Sequence, residues 1–287
     1  MGIIYALLAA LFWGIMPLII KKVNGSPANG ILGTTIGALI VSILIQFIIK
    51  PQKINLIIFI ICLLSGACWV IGQIGQFAAY NMISVTTTMP ISTAMQLIGT
   101  SLIGVFVFNE WPGTLNKIVG FIDIILLIIG VIFTTIGDEK KSKLSQNKNI
   151  IKGLLVLIFT SIGYWIYSVI PKVISFSGST IFLPEMMGAF IAAFIYSFIV
   201  DHKIIIESKT WKDIFAGILW SIAAFLYILS AKLIGIATSF TITQLCVVIS
   251  TLGGIFFLHE QKNRKEMIFT IIGLILVVMG GAITSFI

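Results

Sequence analysis

Ten apolar stretches, each long enough to cross a bilayer as a helix, fill nearly all of this 287-residue chain, and the last five echo the first five. A hydrocarbon core takes about 20 helical residues to cross. Breaks with turn chemistry fall at about that interval, at Asn24-Gly25-Ser26-Pro27, Lys50-Pro51, Trp111-Pro112-Gly113 and Phe176-Ser177-Gly178. Spans are predicted near 2–22, 29–50, 54–80, 84–108, 114–137, 151–174, 180–201, 211–233, 236–258 and 264–286. A duplicated unit with an odd number of spans inserts in two opposite orientations. The expected fold class is an all-α integral membrane protein, ten transmembrane helices arranged as a 5+5 inverted repeat. Its expected parts are a first five-helix repeat over 1–137, a basic linker over 138–150 carrying Lys140, Lys141, Lys143 and Lys148, and a second five-helix repeat over 151–287.

The duplication is visible residue by residue. At an offset of 150, Leu102, Gly104, Phe106, Glu110 and Gly130 meet Leu252, Gly254, Phe256, Glu260 and Gly280. At 151, Gly2, Trp69, Ile83 and Thr87 meet Gly153, Trp220, Ile234 and Thr238. Apolar helices use few residue types, so matched Leu or Ile means little; matched Trp and Glu carry the argument.

With 59% hydrophobic and 10% charged residues, too little polar surface remains to coat a water-soluble globule of this length. The net charge of +8 comes from 18 Lys and Arg in the short connections. There it sets orientation against anionic lipid; basic residues nowhere cluster with exposed aromatics, so no nucleic-acid partner is expected. Odd-numbered connections hold 13 of the 18 and even-numbered ones 5, which predicts a multi-pass cell-membrane protein with both termini outside. Cys62, Cys68 and Cys246 lie in apolar spans without metal-ligand spacing, so neither a metal nor a cofactor is expected. The first 22 residues end in Lys21-Lys22 without a basic leader, and read as a first span rather than a removable signal.

Polar groups inside hydrocarbon are costly unless they face a cavity or a partner helix, so their positions point to a pathway. On the third span Trp69, Gln73, Gln76 and Tyr80, spaced four, three and four apart, share one helical face, and Trp220, Ala224, Tyr227 and Ala231 are their repeat mates. The fourth and ninth spans add Ser92, Thr93 and Gln96, and Thr241, Thr243 and Gln244, with Pro90 interrupting the fourth. Trp13 precedes Pro17, and Tyr164, Trp165 and Tyr167 precede Pro171. A pyranose presents an apolar C–H face and a rim of hydroxyls, so flat rings beside amides suit a sugar. Trp13, Trp69, Gln73, Gln76, Gln96, Tyr164, Trp220, Tyr227 and Gln244 are the candidate substrate-binding set. The alternative for the amides is plain helix-to-helix hydrogen bonding. For the rings it is packing or an interfacial belt, the simplest reading of Trp111 and Trp211.

Two acids lie clearly inside spans: Asp123, about 13 Å along the fifth helix, and Glu185, about 8 Å along the seventh. A carboxyl held neutral in a dry site and ionised when wetted is what proton coupling requires. Glu185 is the first candidate and Asp123 the second; the alternative for Glu185 is an interfacial carboxylate paired with Lys172. Glu110 and Glu260, at matched span ends, are expected to pair with Lys117, Lys262 or Arg264.

The matched endings Phe108-Asn109-Glu110 and Leu258-His259-Glu260, each followed by a span with a late glycine, resemble the drug/metabolite transporter superfamily. Within it, the opening Ile4-Tyr5-Ala6-Leu7-Leu8-Ala9-Ala10-Leu11-Phe12-Trp13-Gly14 and the run Gly72-Gln73-Ile74-Gly75-Gln76 are similar to the bacterial glucose/ribose porter family. The resemblance covers the whole chain. It implies helices one to four and six to nine around a central site, with five and ten peripheral, and uptake of a monosaccharide such as glucose, coupled to protons, by alternating access. The acid that small multidrug exporters carry in their first span is missing between Met1 and Ile20. An exporter of amino acids or other metabolites is the nearest rival, disfavoured because a zwitterion needs opposite charges at its site. An enzyme is not expected, since His202 and His259 fall in loops and no nucleophile–base constellation lies within the spans. A sugar sensor without transport stays open, and a monomer is permitted because the repeat completes its own inverted pair.

Overall fold

The computed structural model describes residues 1–49, 52–108, 113–136, 143–174, 177–234, 239, 242–243 and 245–284. The chain forms α1 (Gly2–Val23), α2 (Pro27–Ile49), α3 (Leu56–Ile83), α4 (Val85–Phe108), α5 (Thr114–Thr135), α6 (Lys143–Val173), α7 (Gly178–Val200), α8 (Ser208–Ile234), α9 (Leu245–Phe257) and α10 (Arg264–Thr284), with a 3-10 turn at His202–Ile206 before α8. Among the described residues eight of these, α1 to α8, are long and apolar enough to cross a bilayer, so the protein is a multi-pass membrane protein.

Local chemistry sets the ends. Asn24 closes α1 in the left-handed conformation at φ 54°, and the Asn55 side chain accepts from the Ile58 amide at 2.9 Å to cap α3. Most elements start and stop within three residues of the expected spans. α6 instead begins at Lys143, so the segment read as linker is helical from there to residue 150; residues 137–142 lie outside the described ones. The described part of the ninth helix is Leu245–Phe257, shorter than the expected 236–258.

The bundle is apolar outside. Ile43, Leu44, Phe47 and Ile48 on α2, and Leu56, Ile57, Ile60, Leu64 and Ile71 on α3, are exposed; this is the surface that lipid tails would cover. Several small hydroxyls are turned inward and satisfied by their own helix: Thr35 donates to the Ile31 carbonyl at 2.9 Å, and Ser42 to that of Leu39 at 2.8 Å.

Glycines decide which helices meet. A Cβ at Gly37 would lie 2.3 Å from the Ile214 carbonyl oxygen and one at Gly217 2.1 Å from that of Thr34, so α2 and α8 touch backbone to backbone. Likewise a Cβ at Gly188 would lie 1.9 Å from the Leu63 carbonyl oxygen and one at Gly66 1.8 Å from that of Glu185, joining α3 and α7. Each residue of the first set stands 151 positions from its counterpart in the second. Lipid gives helices little hydrophobic reason to associate, so such close approach is what holds them. The remaining neighbours follow the same exchange: α1 packs on α8 and α9, as α6 packs on α3 and α4, while α5 and α10 pair with each other.

Candidate functional site

α6 is drawn onto α3 by residues without side chains. A Cβ at Gly75 would lie 1.9 Å from Thr160 Oγ1, one at Gly163 2.2 Å from the Cys68 carbonyl oxygen, and one at Gly72 2.7 Å from the Tyr164 ring. The run Gly72-Gln73-Ile74-Gly75-Gln76 therefore admits the Tyr164 ring over Gly72 and presents an amide on either side of it.

The Tyr164 hydroxyl sits between those amides, 2.9 Å from Gln73 Oε1 and 2.5 Å from Gln76 Oε1. All three side chains are buried. A phenol has one proton to give, so two carbonyl oxygens compete for it. Gln76 Nε2 donates onward to Tyr80 Oη at 3.1 Å and Met89 Sδ at 2.9 Å, and Tyr80 Oη donates to the same sulfur at 3.2 Å. The network thus joins α3, α4 and α6.

The rings gather beside it. Trp69 and Trp220 stand 4.6 Å apart between centroids, tilted by 46°. Trp13 Nε1 donates to the Trp220 carbonyl at 3.3 Å, and the Trp13 ring lies 5.9 Å from that of Tyr227. Trp69, Tyr80, Met89, Tyr164 and Trp220 belong to one apolar cluster, with Trp13 and Tyr167 against it. Of the expected set, Trp13, Trp69, Gln73, Gln76, Tyr164, Trp220 and Tyr227 are so brought together. Gln96 bonds within its own helix, donating to Ser92 Oγ at 3.3 Å. Gln244 lies outside the described residues.

Glu185 is 3% exposed, so it is not a surface carboxylate; it accepts from Ser65 Oγ at 3.0 Å. Ser65 is one turn before Trp69 on the same face of α3, which places the carboxyl about 12 Å along the helix from Gln73. The side chains of Asp123 and Lys172 lie outside the described residues. Trp111 and Glu110 do as well.

Three features escaped the sequence. Ser65 extends the four-residue spacing of Trp69 and Gln73 backwards by one turn, a signal that was present. Met89 carries none. Asp213, near the start of the predicted eighth span, is 0% exposed: α8 begins at Ser208, and Asp213 packs against Gly33 of α2. Glu260, expected to pair with Lys117, Lys262 or Arg264, acts on Lys262 through its charge and also caps α4: its carboxylate accepts from the amides of Val85 and Thr86, each at 2.9 Å, and from the Thr86 hydroxyl.

Residues 4–287 match the family described as Sugar transport protein. The chain is 46% identical to the "Putative sugar uptake protein" of Lactobacillus helveticus over 285 residues, covering 99% of this chain and 100% of that one. It is 39% identical to "Glucose uptake protein GlcU" of Bacillus subtilis over 278 residues, 97% of this chain and 96% of the other. It is also 39% identical to the "Putative ribose uptake protein RbsU" of Latilactobacillus sakei over 291 residues, 100% and 98% of the two chains. The chain belongs to the Sugar transport protein family.

Proposed function

We propose that this chain imports a monosaccharide across the cell membrane by alternating access, with glucose and ribose the first substrates to test and a proton as the coupling ion. One observation carries the reading: the Tyr164 hydroxyl lies between the Gln73 and Gln76 carbonyls, where one proton serves two acceptors. A sugar hydroxyl entering there supplies the missing donor, and an uncharged amide-and-phenol cluster asks for a polyol rather than an ion. Trp69, Trp220, Trp13 and Tyr227 offer faces for the C–H side of a pyranose, and Gln96 and Gln244 complete the set. In this conformation the polar groups bond one another, so binding exchanges these partners for those of the sugar.

The two halves, 1–137 and 151–287 joined by 138–150, are read as oppositely threaded, with both termini outside; the contact pairs related by 151 positions support the duplication, and the Lys and Arg distribution supports the orientation. Glu185 is the proposed proton carrier, because a carboxyl with one serine partner in a dry helix seam ionises only when the seam wets. Asp123, on α5 away from this cluster, is the second choice. The membrane lipid is the only macromolecular environment required, and a monomer suffices.

The test is uptake of radiolabelled glucose and ribose by proteoliposomes, with and without an inward proton gradient, for the wild type and Glu185→Gln. Gradient-driven accumulation that the variant loses supports the reading. Accumulation indifferent to the gradient removes the coupling, and sugar binding without flux replaces the carrier with a sensor.

A further inference from the structure

We infer that Asp213 is a second proton-binding site, set in the α2–α8 seam as Glu185 is set in the α3–α7 seam. This deepens the proposed transport cycle and rests on it for coupling, whereas the proton on Asp213 rests on the seam alone.

Both carboxylate oxygens of Asp213 are buried without a hydrogen-bond partner, and so is the hydroxyl of Thr34. The two residues flank the same contact. A Cβ on Gly33 would lie 2.6 Å from Asp213 Cβ, and Gly217, one turn beyond Asp213, meets the Thr34 carbonyl. An ionised carboxylate sealed in this way without a partner costs several kcal/mol, and the neutral acid avoids that cost. The group that tolerates the place is the neutral acid.

Among the described residues no charge on the surrounding elements relieves it. α2 has no ionisable side chain. On α1, Lys21 donates to the Tyr80 carbonyl and to Asn81, Lys22 is exposed and Tyr5 is half-buried at the far end. On the 3-10 turn, His202 and Lys203 are exposed. On α7, Glu185 is held by Ser65 and Tyr196 is half-buried among apolar neighbours. On α8 itself, Lys209 donates to the Asn24 carbonyl and Lys212 is exposed. A metal ion is a poor alternative: hard cations of the calcium type take six to eight oxygens, and the Gly33 contact leaves the helices touching.

The seam also supplies a route. Glu207 is the extended residue just before α8, and Thr210 and Asp213 follow at intervals of three in its first turns. Half-buried Glu207 accepts from Asn29 Nδ2 at 2.8 Å, and the same amide donates to Thr210 Oγ1 at 2.9 Å. Asp213 lies about 4.5 Å further along the helix than Thr210. When α2 and α8 part, water entering past Glu207 reaches the carboxyl, which releases its proton to that water and is left as a carboxylate; closing the seam requires the proton back.

The experiment uses the full chain in lipid nanodiscs and reads the protonated carboxylic C=O stretch by infrared spectroscopy at neutral pH. Asp213→Asn is expected to remove one such band and Glu185→Gln a different one. Unchanged bands in folded Asp213→Asn overturn the site. Should that variant fail to fold, Asp213→Glu keeps the carboxyl and is expected to shift the band; an unshifted spectrum overturns the site equally. In proteoliposomes, one coupled proton crossing about 100 mV supports an accumulation of about fifty-fold, and Asp213→Asn is expected to lose that factor. Undiminished accumulation in the variant overturns the coupling role. Absence of sugar flux in the wild type overturns the proposed function, yet leaves the infrared result standing.

Discussion

Gly66 of α3 and Glu185 of α7 meet backbone to backbone, so closely that a Cβ on Gly66 would lie 1.8 Å from the Glu185 carbonyl oxygen. The hydrogen bond from Ser65 to the Glu185 carboxylate depends on this approach. Gly66→Ala forces the helices apart and is expected to cost about 1–3 kcal/mol, read as a lower unfolding temperature in detergent. Gly188→Ala, which meets the Leu63 carbonyl oxygen at 1.9 Å, is expected to behave alike. Gly113→Ala is the contrast: it has open space but a backbone at φ 88° and ψ 160°, where side chains are strained, so its cost of about 1–3 kcal/mol comes from the backbone alone.

Tyr164→Phe deletes the proton shared by Gln73 and Gln76 while keeping the ring over Gly72. Two buried acceptors lose their donor, so the protein is expected to lose about 1–3 kcal/mol. Monosaccharide affinity is expected to weaken about tenfold. Thermal-shift titration with glucose and ribose reads both effects, and an affinity equal to wild type would remove Tyr164 from the site.

Glu260 ties the segment after α9 to the first turn of α4 through three hydrogen bonds. Glu260→Ala is expected to cost about 0.5–2 kcal/mol, as for the loss of a helix cap, and to speed amide exchange at Val85 and Thr86 specifically. Glu260→Gln keeps an acceptor and is expected to fall between. Exchange that stays slow in the alanine variant would show that the cap contributes nothing there.

Lys262 lies in the connection between α9 and α10, donating to the Thr134 carbonyl at 3.2 Å and to Thr270 Oγ1 at 2.7 Å. Burial pushes its ammonium below the ordinary lysine value, while Glu266 and Glu260 oppose the shift. The sign follows: between the lowered folded value and about 10.4, the unfolded chain binds more protons, so stability rises with pH in that window. Lys262→Met is expected to flatten this alkaline rise in unfolding temperature. An unchanged slope would place the titration elsewhere.

What could be read in advance follows the range over which each signal acts. The third-span face was legible because Gln73, Gln76 and Trp69 obey helical spacing within one element. That Tyr164 would supply their shared proton depends on α6 settling against Gly72 and Gly75, a contact across about 90 positions that periodicity alone does not encode. Glu260 invites pairing with Lys262, a neighbour in sequence whose charge it does feel, whereas its hydrogen-bonding amides lie 174 and 175 positions away, beyond the reach of any local pattern. Asp213 lies at the edge of the predicted span 211–233 but well inside α8, which starts at Ser208, and three residues of helix are nearly a full turn of depth. Helix ends are where lipid-facing and protein-facing chemistry overlap, and composition separates them least.

The indoles of Trp69 and Trp220, 4.6 Å apart on α3 and α8, furnish the protein with its own optical gauge. Aromatic rings at such spacing couple electronically, and the coupling fades within a few ångströms of separation. Near-ultraviolet dichroism of the unlabelled chain would therefore register any shift of one helix against the other as it happens, without a dye or an engineered cysteine.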